Sequence, residues 1–480
     1  MGTFWIVLGL LIAFLAVIII RALLFYPSFS AHVQPDGEVK SDFAAATDHL
    51  AQMVRLRTVS SRNPELVDQS QFEAFRNLLP VLYPEVAKVC PREFIGETGM
   101  LYCWKGKKST NPTVLMAHYD VVTASEEGWE KPPFCGELDE DNVLWGRGTL
   151  DTKGTLCGIL EAAELLIRQK FVPANDIYFS FSGDEEIMGP SAPAIVAELE
   201  RRGVKPDLVL DEGGAVVENV FPGMKEKCAV VGIAEKGQMD LEFKVKSHGG
   251  HTSAPPVKNP VGTLCKAVTA VENHPFPAKL TPAAAQMFNT LGRYSSFGLK
   301  LIFANLWCFL PLLKLICTKS GGELNALMRT TCSFTMMRGS TAANVFPSEA
   351  KMIANLRIVT GETMNTATAY LKNVMHDSDV EISRVQGSDP SPCADLKSPQ
   401  WELVKAAVSE IWPQAVVAPY MMVACSDSRH FCKLCDNVFR FSAMELSKEE
   451  RGYIHGLNER IPAEKIGKAA EFFTRVIKKC

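Results

Sequence analysis

The spacing of apolar residues changes along the chain, and each change predicts a different kind of structure. Residues 4–20 are apolar without a break, and the apolar run resumes after Arg21. A helix of this length can cross the hydrocarbon core of a bilayer, which takes ~20 residues. We therefore expect an N-terminal membrane anchor at residues 1–30, followed by a polar linker at residues 31–40.

A cleaved signal peptide is the alternative for this N-terminal segment. The small-x-small pattern Ser28-Phe29-Ser30 favours cleavage. Against it, no Lys or Arg precedes the apolar run, which is also longer than the ~7–15 residues usual in signal peptides. We expect a single-pass membrane protein, and the sequence leaves both sides of the membrane open for the folded part.

Beyond the linker, short apolar runs alternate with amphipathic stretches, as in βαβ units. The predicted strands and helices of this part cover residues 113–117, 154–169, 177–181, 192–202 and 208–210. This alternation predicts an α/β fold with a mostly parallel central sheet. We expect this catalytic domain to comprise residues 41–235 and, after an insertion, residues 387–480.

The inserted part has a different pattern of apolar and polar residues, because residues 238–246 alternate strictly between the two types. Such alternation predicts a half-exposed strand. The further predicted elements are a helix near residues 261–272, strands near 332–337 and 351–358, a helix near 363–376 and a strand near 380–385. This β-α-β-β-α-β order predicts a ferredoxin-like α+β domain over residues 236–386.

Residues 299–316, inside the inserted part, are unusually apolar. Lys300, Pro311 and Lys314 interrupt them and argue against a second membrane span. We expect core or dimer-packing helices here. An apolar wall for a lipid-like substrate is the alternative.

Charge and cysteine content exclude some classes of function. The net charge is −4 with no basic stripe, so a nucleic-acid partner is not expected. The 14 cysteines have no even framework spacing, and the CxxC pair Cys432 and Cys435 is interpreted as ordinary buried thiols. So many unpaired cysteines are typical of a reducing compartment.

Three of the predicted strands lead directly into side chains that bind metals. The segments that follow them are His118-Tyr119-Asp120, Gly183-Asp184-Glu185-Glu186 and Asp211-Glu212-Gly213-Gly214. Asp151 adds a further carboxylate between the first two. Because sites in open α/β sheets form at the carboxyl ends of strands, these groups are expected to converge. Converging carboxylates repel one another unless cations neutralise them, so the pattern predicts two divalent metal ions.

The spacing within these segments indicates separate roles. In an extended segment, residues two apart point to the same side, so Asp120 can hydrogen-bond the imidazole of His118. The side chains of Glu185 and Glu186 diverge, so one can bind a metal while the other faces a metal-bound water. Each motif alone is common in structural positions, but their succession at strand ends favours a catalytic site.

The ordered motifs resemble those of the di-zinc peptidases, the family that includes aminoacylase, acetylornithine deacetylase and carboxypeptidase S. The resemblance covers residues 41–479 and is strongest to the branch of carboxypeptidase S and the N-fatty-acyl-amino acid hydrolase/synthase enzymes. The motifs that carry it are His118-x-Asp120, Gly148-x-x-Asp151-x-Lys153-Gly154, Gly183-Asp184-Glu185-Glu186, Asp211-Glu212-Gly213, His251-Thr252-Ser253-x-Pro255 and His455-Gly456-x-Asn458-Glu459-Arg460.

The resemblance implies a set of metal ligands. Asp151 would bridge two zinc ions, for which Co²⁺ or Mn²⁺ could substitute. His118 and Asp211 would complete one site, and Glu186 and His455 the other.

The resemblance also implies catalytic and substrate-binding roles. Asp120 would support His118, and Glu185 would be the general base. Residues 236–386 would form a lid and dimerisation domain, from which His251 would stabilise the oxyanion in the partner subunit of a homodimer. Asn344 and Arg357 would contact the substrate, since a guanidinium binds a carboxylate through two hydrogen bonds.

The expected activity is zinc-dependent hydrolysis of an amide next to a free carboxylate, as in a carboxypeptidase or aminoacylase, with small peptides or N-acyl amino acids as substrates. The alternative is a membrane-tethered, non-catalytic binding protein, which would be expected to lack Glu185 or a ligand. One departure affects specificity. The family's Gly-Gly-Thr-Asp-x-Arg turn reads Ala424-Cys425-Ser426-Asp427-Ser428-Arg429 here.

Overall fold

The computed structural model of the protein describes residues 2–27, 43–219, 223–376 and 379–480. The predicted linker at residues 31–40 lies outside these ranges, as does the Ser28-Phe29-Ser30 segment.

The helices and strands are numbered in chain order. The helices are α1 (Gly2–Leu24), α2 (Phe43–Arg55), α3 (Gln69–Leu82), α4 (Pro84–Val89), α5 (Lys153–Arg168), α6 (Ser191–Arg201), α7 (Pro260–Asn273), α8 (Pro282–Leu291), α9 (Phe297–Phe303), α10 (Leu306–Ser320), α11 (Gly322–Met328), α12 (Met364–Met375), α13 (Pro399–Ile411), α14 (Ser428–Phe431) and α15 (Ala463–Lys479). The strands are β1 (Arg92–Ile95), β2 (Gly99–Trp104), β3 (Lys108–His118), β4 (Glu137–Leu138), β5 (Val143–Trp145), β6 (Asn175–Ser182), β7 (Leu208–Val217), β8 (Cys228–Glu235), β9 (Gly237–Lys246), β10 (Gly250–His251), β11 (Thr331–Arg338), β12 (Val345–Phe346), β13 (Glu349–Ile358), β14 (Glu381–Ser388), β15 (Val416–Met422), β16 (Val438–Leu446) and β17 (Arg460–Pro462).

The central sheet has eight strands in the order β1-β2-β6-β3-β7-β16-β8-β15. Strands β6, β3, β7 and β16 run parallel to one another, whereas β1 and β2 form an antiparallel edge. Helices α5 and α15 belong to the core on one face, and α6 and α14 to the core on the other. Burial on both faces explains the continuous apolar runs of β3 and β6. The predicted, mostly parallel sheet is confirmed.

A second sheet contains four antiparallel strands in the order β11-β13-β9-β14. With α7 and α12 these strands follow one another as β-α-β-β-α-β, the ferredoxin-like order. Alternate residues of β9, from Met239 to Val245, are buried against the two helices, as the alternation predicted. The lid and dimerisation roles of this unit remain predictions.

Helices α8 to α11 interrupt the second unit between α7 and β11 and pack on the main core. The apolar residues 299–316 form α9 and α10, which meet at an angle of 111°. Phe303, Leu313 and Cys317 are buried, whereas Trp307 and Leu315 on the opposite face are exposed. The predicted core packing therefore accounts for one face of this segment. We call α9 and α10 together the α9–α10 hairpin.

The N-terminal helix α1 is long and apolar enough to cross a membrane. Most of its side chains are exposed, but Ile18 and Ala22 near its end are buried, as is Phe25 just beyond it. Ala22 and Phe25 belong to the main core of the protein.

The 14 cysteines lie within the described ranges as free thiols. Cys435 is buried and Cys432 half-buried, and burial raises the pKa of the Cys435 thiol to about 12. Both observations agree with the interpretation of this pair as ordinary buried thiols.

Candidate metal centre and active site

His118 stands at the carboxyl end of β3, at the centre of the main sheet. Its Nε2 atom lies 3.0 Å from Oδ1 of Asp151 and 3.3 Å from Oε1 of Glu212. Its Nδ1 atom lies 2.9 Å from the backbone carbonyl oxygen of Asp120. Because a carbonyl oxygen only accepts, Nδ1 donates, and loss of the Nε2 proton on metal binding would leave an Nε2 lone pair that faces the two carboxylates. This is the tautomer that a metal-binding histidine needs.

A second group shares the other oxygen of Asp151. Nε2 of His455 lies 3.0 Å from Oδ2 of Asp151 and 3.1 Å from Oε1 of Glu186. Within each group, the candidate ligand atoms all lie within 4.8 Å of one another. Asp151 thus contributes one oxygen to each group, the geometry of a carboxylate that bridges two ions.

The charge of these groups fits two divalent cations. Burial raises the pKa of Glu212 to about 8 and also raises the pKa of Glu186. A negative charge on either buried carboxylate is therefore unfavourable unless a cation lies next to it. Burial also acts to raise the pKa of Asp151, but hydrogen bonds from His118 and His455 lower it well below its usual range. Imidazole nitrogen and carboxylate oxygen are ligands that Zn²⁺ prefers.

The structure brings Glu212, rather than the predicted ligand Asp211, close to His118 and Asp151. The pairing of β7 with β16 shifts from Asp211 opposite Arg440 to Gly214 opposite Phe441, which leaves Glu212 in a bulge. A bulge re-aims side chains locally. Asp211 therefore turns away from His118, and its Oδ2 accepts a hydrogen bond of 2.9 Å from the backbone N–H of Ser428.

Asp120 joins His118 to the turn that carries the two glutamates. Besides the carbonyl contact, its Oδ1 lies 3.3 Å from Nδ1 of His118. The same carboxylate accepts the backbone N–H groups of Glu185 and Glu186, each at 3.1 Å, and the hydroxyl of Ser60 at 2.7 Å. Asp120 thus contacts both a candidate ligand and the turn that carries the predicted base, and its supporting role remains a prediction.

Sequence reasoning missed the role of Glu459, which holds the segment leading to Asp151. Its Oε1 accepts the backbone N–H groups of Gly148 at 3.0 Å and Leu150 at 2.8 Å. Its Oε2 pairs with Arg147 at 2.6 Å, and both side chains are buried. Glu459 lies four residues after His455, so one short segment of chain supplies a ligand and positions the shared aspartate. The sequence signal was a Glu between Asn and Arg in the last motif.

A cleft of about 490 Å³ opens in front of the two groups. Three arginines, Arg62, Arg357 and Arg429, line it together with Glu185. Burial raises the pKa of Glu185 well above its usual range. The apolar part of the wall consists of Leu150, Met188, Ala215, Met422, Ala424, Met444, Leu446 and Ile454. The cleft therefore combines metal-binding, cationic and apolar surfaces.

The turn that departs from the family pattern lies at the edge of this cleft. The backbone N–H of Ser426 donates to Glu235 at 2.6 Å, and Glu235 pairs with Arg440 at 2.7 Å in a fully buried contact. Cys425 occupies a position where the family has glycine, and its sulfur lies 3.5 Å from Nη1 of Arg357. A side chain thus takes up space in the cleft beside a predicted substrate-binding residue.

His251 and Asn344 do not reach the cleft of their own chain. His251 lies on the two-residue strand β10, paired with β12, and its exposed imidazole contacts the hydroxyl of Ser253 at 2.8 Å. The backbone oxygen of Asn344 accepts the N–H of Thr252 at 3.2 Å. The two residues are therefore neighbours on the ferredoxin-like unit. Action of His251 in a partner subunit remains a prediction.

Known proteins with related sequences agree with this geometry. Residues 114–479 match the profile of peptidase family M20/M25/M40. The chain is 35% identical over 430 residues to N-fatty-acyl-amino acid synthase/hydrolase PM20D1 of Xenopus tropicalis, covering 88% of this chain and 83% of that one. It is 25% identical over 474 residues to carboxypeptidase S of Saccharomyces cerevisiae, covering 87% and 81%.

Solved structures share the fold. The M20 family metallo-carboxypeptidase Sso-CP2 from Sulfolobus solfataricus superposes with a TM-score of 0.68 at 16% identity, covering 90% of this chain and 98% of that one. Human carnosine dipeptidase 1 gives a TM-score of 0.63 at 13% identity, with 91% and 96% covered. The family profile spans most of the chain, and relatives above 30% identity span nearly nine-tenths of it. The chain therefore belongs to peptidase family M20/M25/M40 and is a metal-dependent amide hydrolase.

Proposed function

We propose that the protein hydrolyses N-acyl amino acids with long acyl chains, using two zinc ions held by His118, Asp151, Glu186, Glu212 and His455. The observation that carries this proposal is the position of Asp151 between two histidine–glutamate pairs, in a cleft that also contains Glu185. Bound zinc ions would polarise the scissile carbonyl and lower the pKa of a bound water. Every predicted ligand position carries a His, Asp or Glu side chain, which argues against a non-catalytic protein.

Glu185 is the residue we propose as general base. It lines the cleft, and Asp120 holds its backbone next to the ligand Glu186. Its carboxylate would accept a proton from the attacking water and pass it to the amine that leaves. Positioned acids and bases of this kind typically contribute ~10²–10⁴-fold to the rate.

The cleft surface supports a substrate with one charged and one apolar end. We propose that Arg357 binds the free carboxylate through its guanidinium. The acyl chain would then lie along Met422, Met444, Leu446 and Ile454, which line the same cleft. Relatives named N-fatty-acyl-amino acid synthase/hydrolase support this choice, whereas the relative named carboxypeptidase S supports dipeptides as the second candidate.

A comparison of substrates tests the proposal. Each buried methylene is worth about 0.8 kcal/mol, so three or four against the wall correspond to a gain of roughly 100-fold in kcat/KM. We expect at least that preference for N-palmitoyl-leucine over N-acetyl-leucine. Leu446→Gln should reduce the rate with the long substrate about tenfold and leave the rate with the short one unchanged. Higher kcat/KM for a dipeptide such as glycyl-leucine than for the palmitoyl substrate would favour the second candidate.

We also propose that the enzyme is a homodimer in which His251 stabilises the oxyanion at the partner's metal centre. His251 is exposed on the ferredoxin-like unit and lies outside the cleft of its own chain, which supports this arrangement.

Residues 1–27 are proposed as a retained membrane anchor. Burial of Ala22 and Phe25 in the main core supports retention, because cleavage near residue 30 would remove these side chains from the folded protein.

A further inference from the structure

We infer that the α9–α10 hairpin lies in the same membrane as α1, as a second contact that dips into one leaflet without crossing it. The proposal rests on the membrane anchor proposed above. It assigns to the hairpin a lipid-facing surface and fixes the catalytic domain close to the bilayer.

Polar contacts join α1 to the bend of the hairpin. The guanidinium of Arg21 donates to the carbonyl oxygen of Ala304 at 2.9 Å and to the side-chain oxygen of Asn305 at 3.0 Å. The amide of Asn305, which is fully buried, donates to the carbonyl oxygen of Ile18 at 3.0 Å. Polar groups at membrane depth need partners within the protein, and these residues provide them for one another.

The position of these contacts along α1 sets the depth of the hairpin. At 1.5 Å per residue, Ile18 lies about 9 Å and Phe14 about 15 Å before the end of α1 at Leu24. The Asn305 side chain contacts Ile18, and the ring of Trp307 packs edge-on against Phe14 with 5.8 Å between centroids. Since the hydrocarbon core of a bilayer is ~30 Å thick, Trp307 lies well inside this core when α1 spans the membrane.

The exposed face of α10 has the composition of a lipid contact. Trp307, Leu312, Leu315 and Ile316 are 41–61% exposed, and the last three follow the spacing of one helical face. The first charged residue exposed on this face is Lys319. A surface helix in water has polar residues in such positions. Extended apolar patches mark contacts with a membrane or a protein.

The exposed apolar face of α10 continues onto α1, which favours lipid over a second copy of the chain as the contact of this face. Apart from Thr3 and Arg21, the exposed side chains of α1 are apolar, and Phe14 and Trp307 join the two surfaces. The half-buried Lys300 and Lys314 have long stems that can carry their ammonium groups towards the interface.

The hairpin is too short and too bent to cross the membrane. Helix α10 has 15 residues, or about 22 Å, and it meets α9 at 111°. The chain then returns to the catalytic domain through α11, where Glu323 accepts a hydrogen bond of 2.8 Å from Tyr420 on β15. Because Met422 at the end of β15 lines the cleft, α11 connects the membrane contact with the active site.

Fluorescence quenching by lipids with brominated acyl chains tests the inference on the full chain in phosphatidylcholine liposomes. Two of the seven tryptophans, Trp5 and Trp307, should be quenched. Trp5→Phe should retain about half of the quenching, and the additional change Trp307→Phe should abolish it. Unchanged amidase activity in each variant serves as the folding control.

The outcomes separate the inference from the anchor. Complete loss of quenching in Trp5→Phe alone would overturn the hairpin contact and leave the anchor intact. Absence of quenching in the unmodified chain would overturn both.

A photo-crosslinker identifies what covers α10. The probe p-benzoylphenylalanine, incorporated in place of Leu315, should form adducts with lipid in the same liposomes. The matched control is Val81 on α3, which is also exposed and apolar, and should form none. Adducts between two copies of the chain at position 315 would instead identify a dimer contact and overturn the assignment to lipid.

Discussion

The proposal that Glu212, rather than Asp211, is a metal ligand makes the sharpest mutational prediction. Glu212→Gln keeps the side-chain volume but removes the charge next to Nε2 of His118. Loss of a group that only orients a ligand costs ~10–100-fold in metal affinity, so loss of a ligand should cost at least the upper value, about 2.8 kcal/mol. The second group, with Asp151, Glu186 and His455, stays complete. We therefore expect the metal content to fall from about two ions per chain to about one.

Asp211→Asn is the matched control, because it makes the same chemical change one residue away. An amide oxygen can still accept the backbone N–H of Ser428, so we expect both metals to remain. The hydrogen bond changes from charge-assisted to neutral, which should lower the free energy of unfolding by about 1 kcal/mol.

Metal content after dialysis, measured by mass spectrometry together with amidase activity, distinguishes the two residues. In the metal-free protein Glu212→Gln should cost little stability, since burial raises the pKa of Glu212 to about 8 and keeps it largely protonated near neutrality. Two ions bound in Glu212→Gln, with one in Asp211→Asn, would refute the assignment and restore Asp211.

Three further predictions concern the proposed catalytic roles. Glu185→Gln should lower kcat by ~10²–10⁴-fold with both metals retained, whereas Glu186→Gln should lose one metal; wild-type turnover in Glu185→Gln would remove it as the base. Arg357→Lys should lower kcat/KM roughly tenfold for N-acyl amino acids and leave their carboxamides unaffected, and equal losses on both would argue against carboxylate binding. An equal mixture of Glu185→Ala and His251→Ala chains that exchange subunits should recover about a quarter of wild-type activity if His251 acts in the partner subunit, because half of the dimers are then mixed and each has one complete site. No recovery after proven subunit exchange would exclude that arrangement.

The sequence alone was sufficient for the main architecture and for most of the metal cluster. Strand runs that are apolar throughout predicted the doubly covered sheet, and the alternation in β9 predicted the second unit. His118, Asp151, Glu186 and His455 meet as expected because the ends of β3 and β6, the segment before α5 and the segment after β16 converge at one edge of the sheet.

The choice between Asp211 and Glu212 could not be made from the sequence. Regular alternation would direct one of two neighbours to each side, but it does not say which side contains His118. The bulge opposite Arg440 and Phe441 settles the direction, and it depends on pairing with a strand more than 200 residues away. Glu459 was missed for a similar reason, since its partners are backbone groups that show no residue preference.

The apolar residues 299–316 show a different limit of sequence patterns. Composition could not separate a core helix from a lipid-facing one, because both are apolar. The bend between α9 and α10 and the contact of Asn305 with Ile18 decide which face is buried and which is exposed.

We propose that amide hydrolysis by this protein depends on two metal ions that share Asp151. It is tested most directly by stripping the purified protein with a chelator and adding Zn²⁺ in steps while activity and bound metal are measured together. We expect negligible activity without metal and a return of activity that reaches its maximum at about two ions per chain. Full activity in the metal-free protein would contradict it.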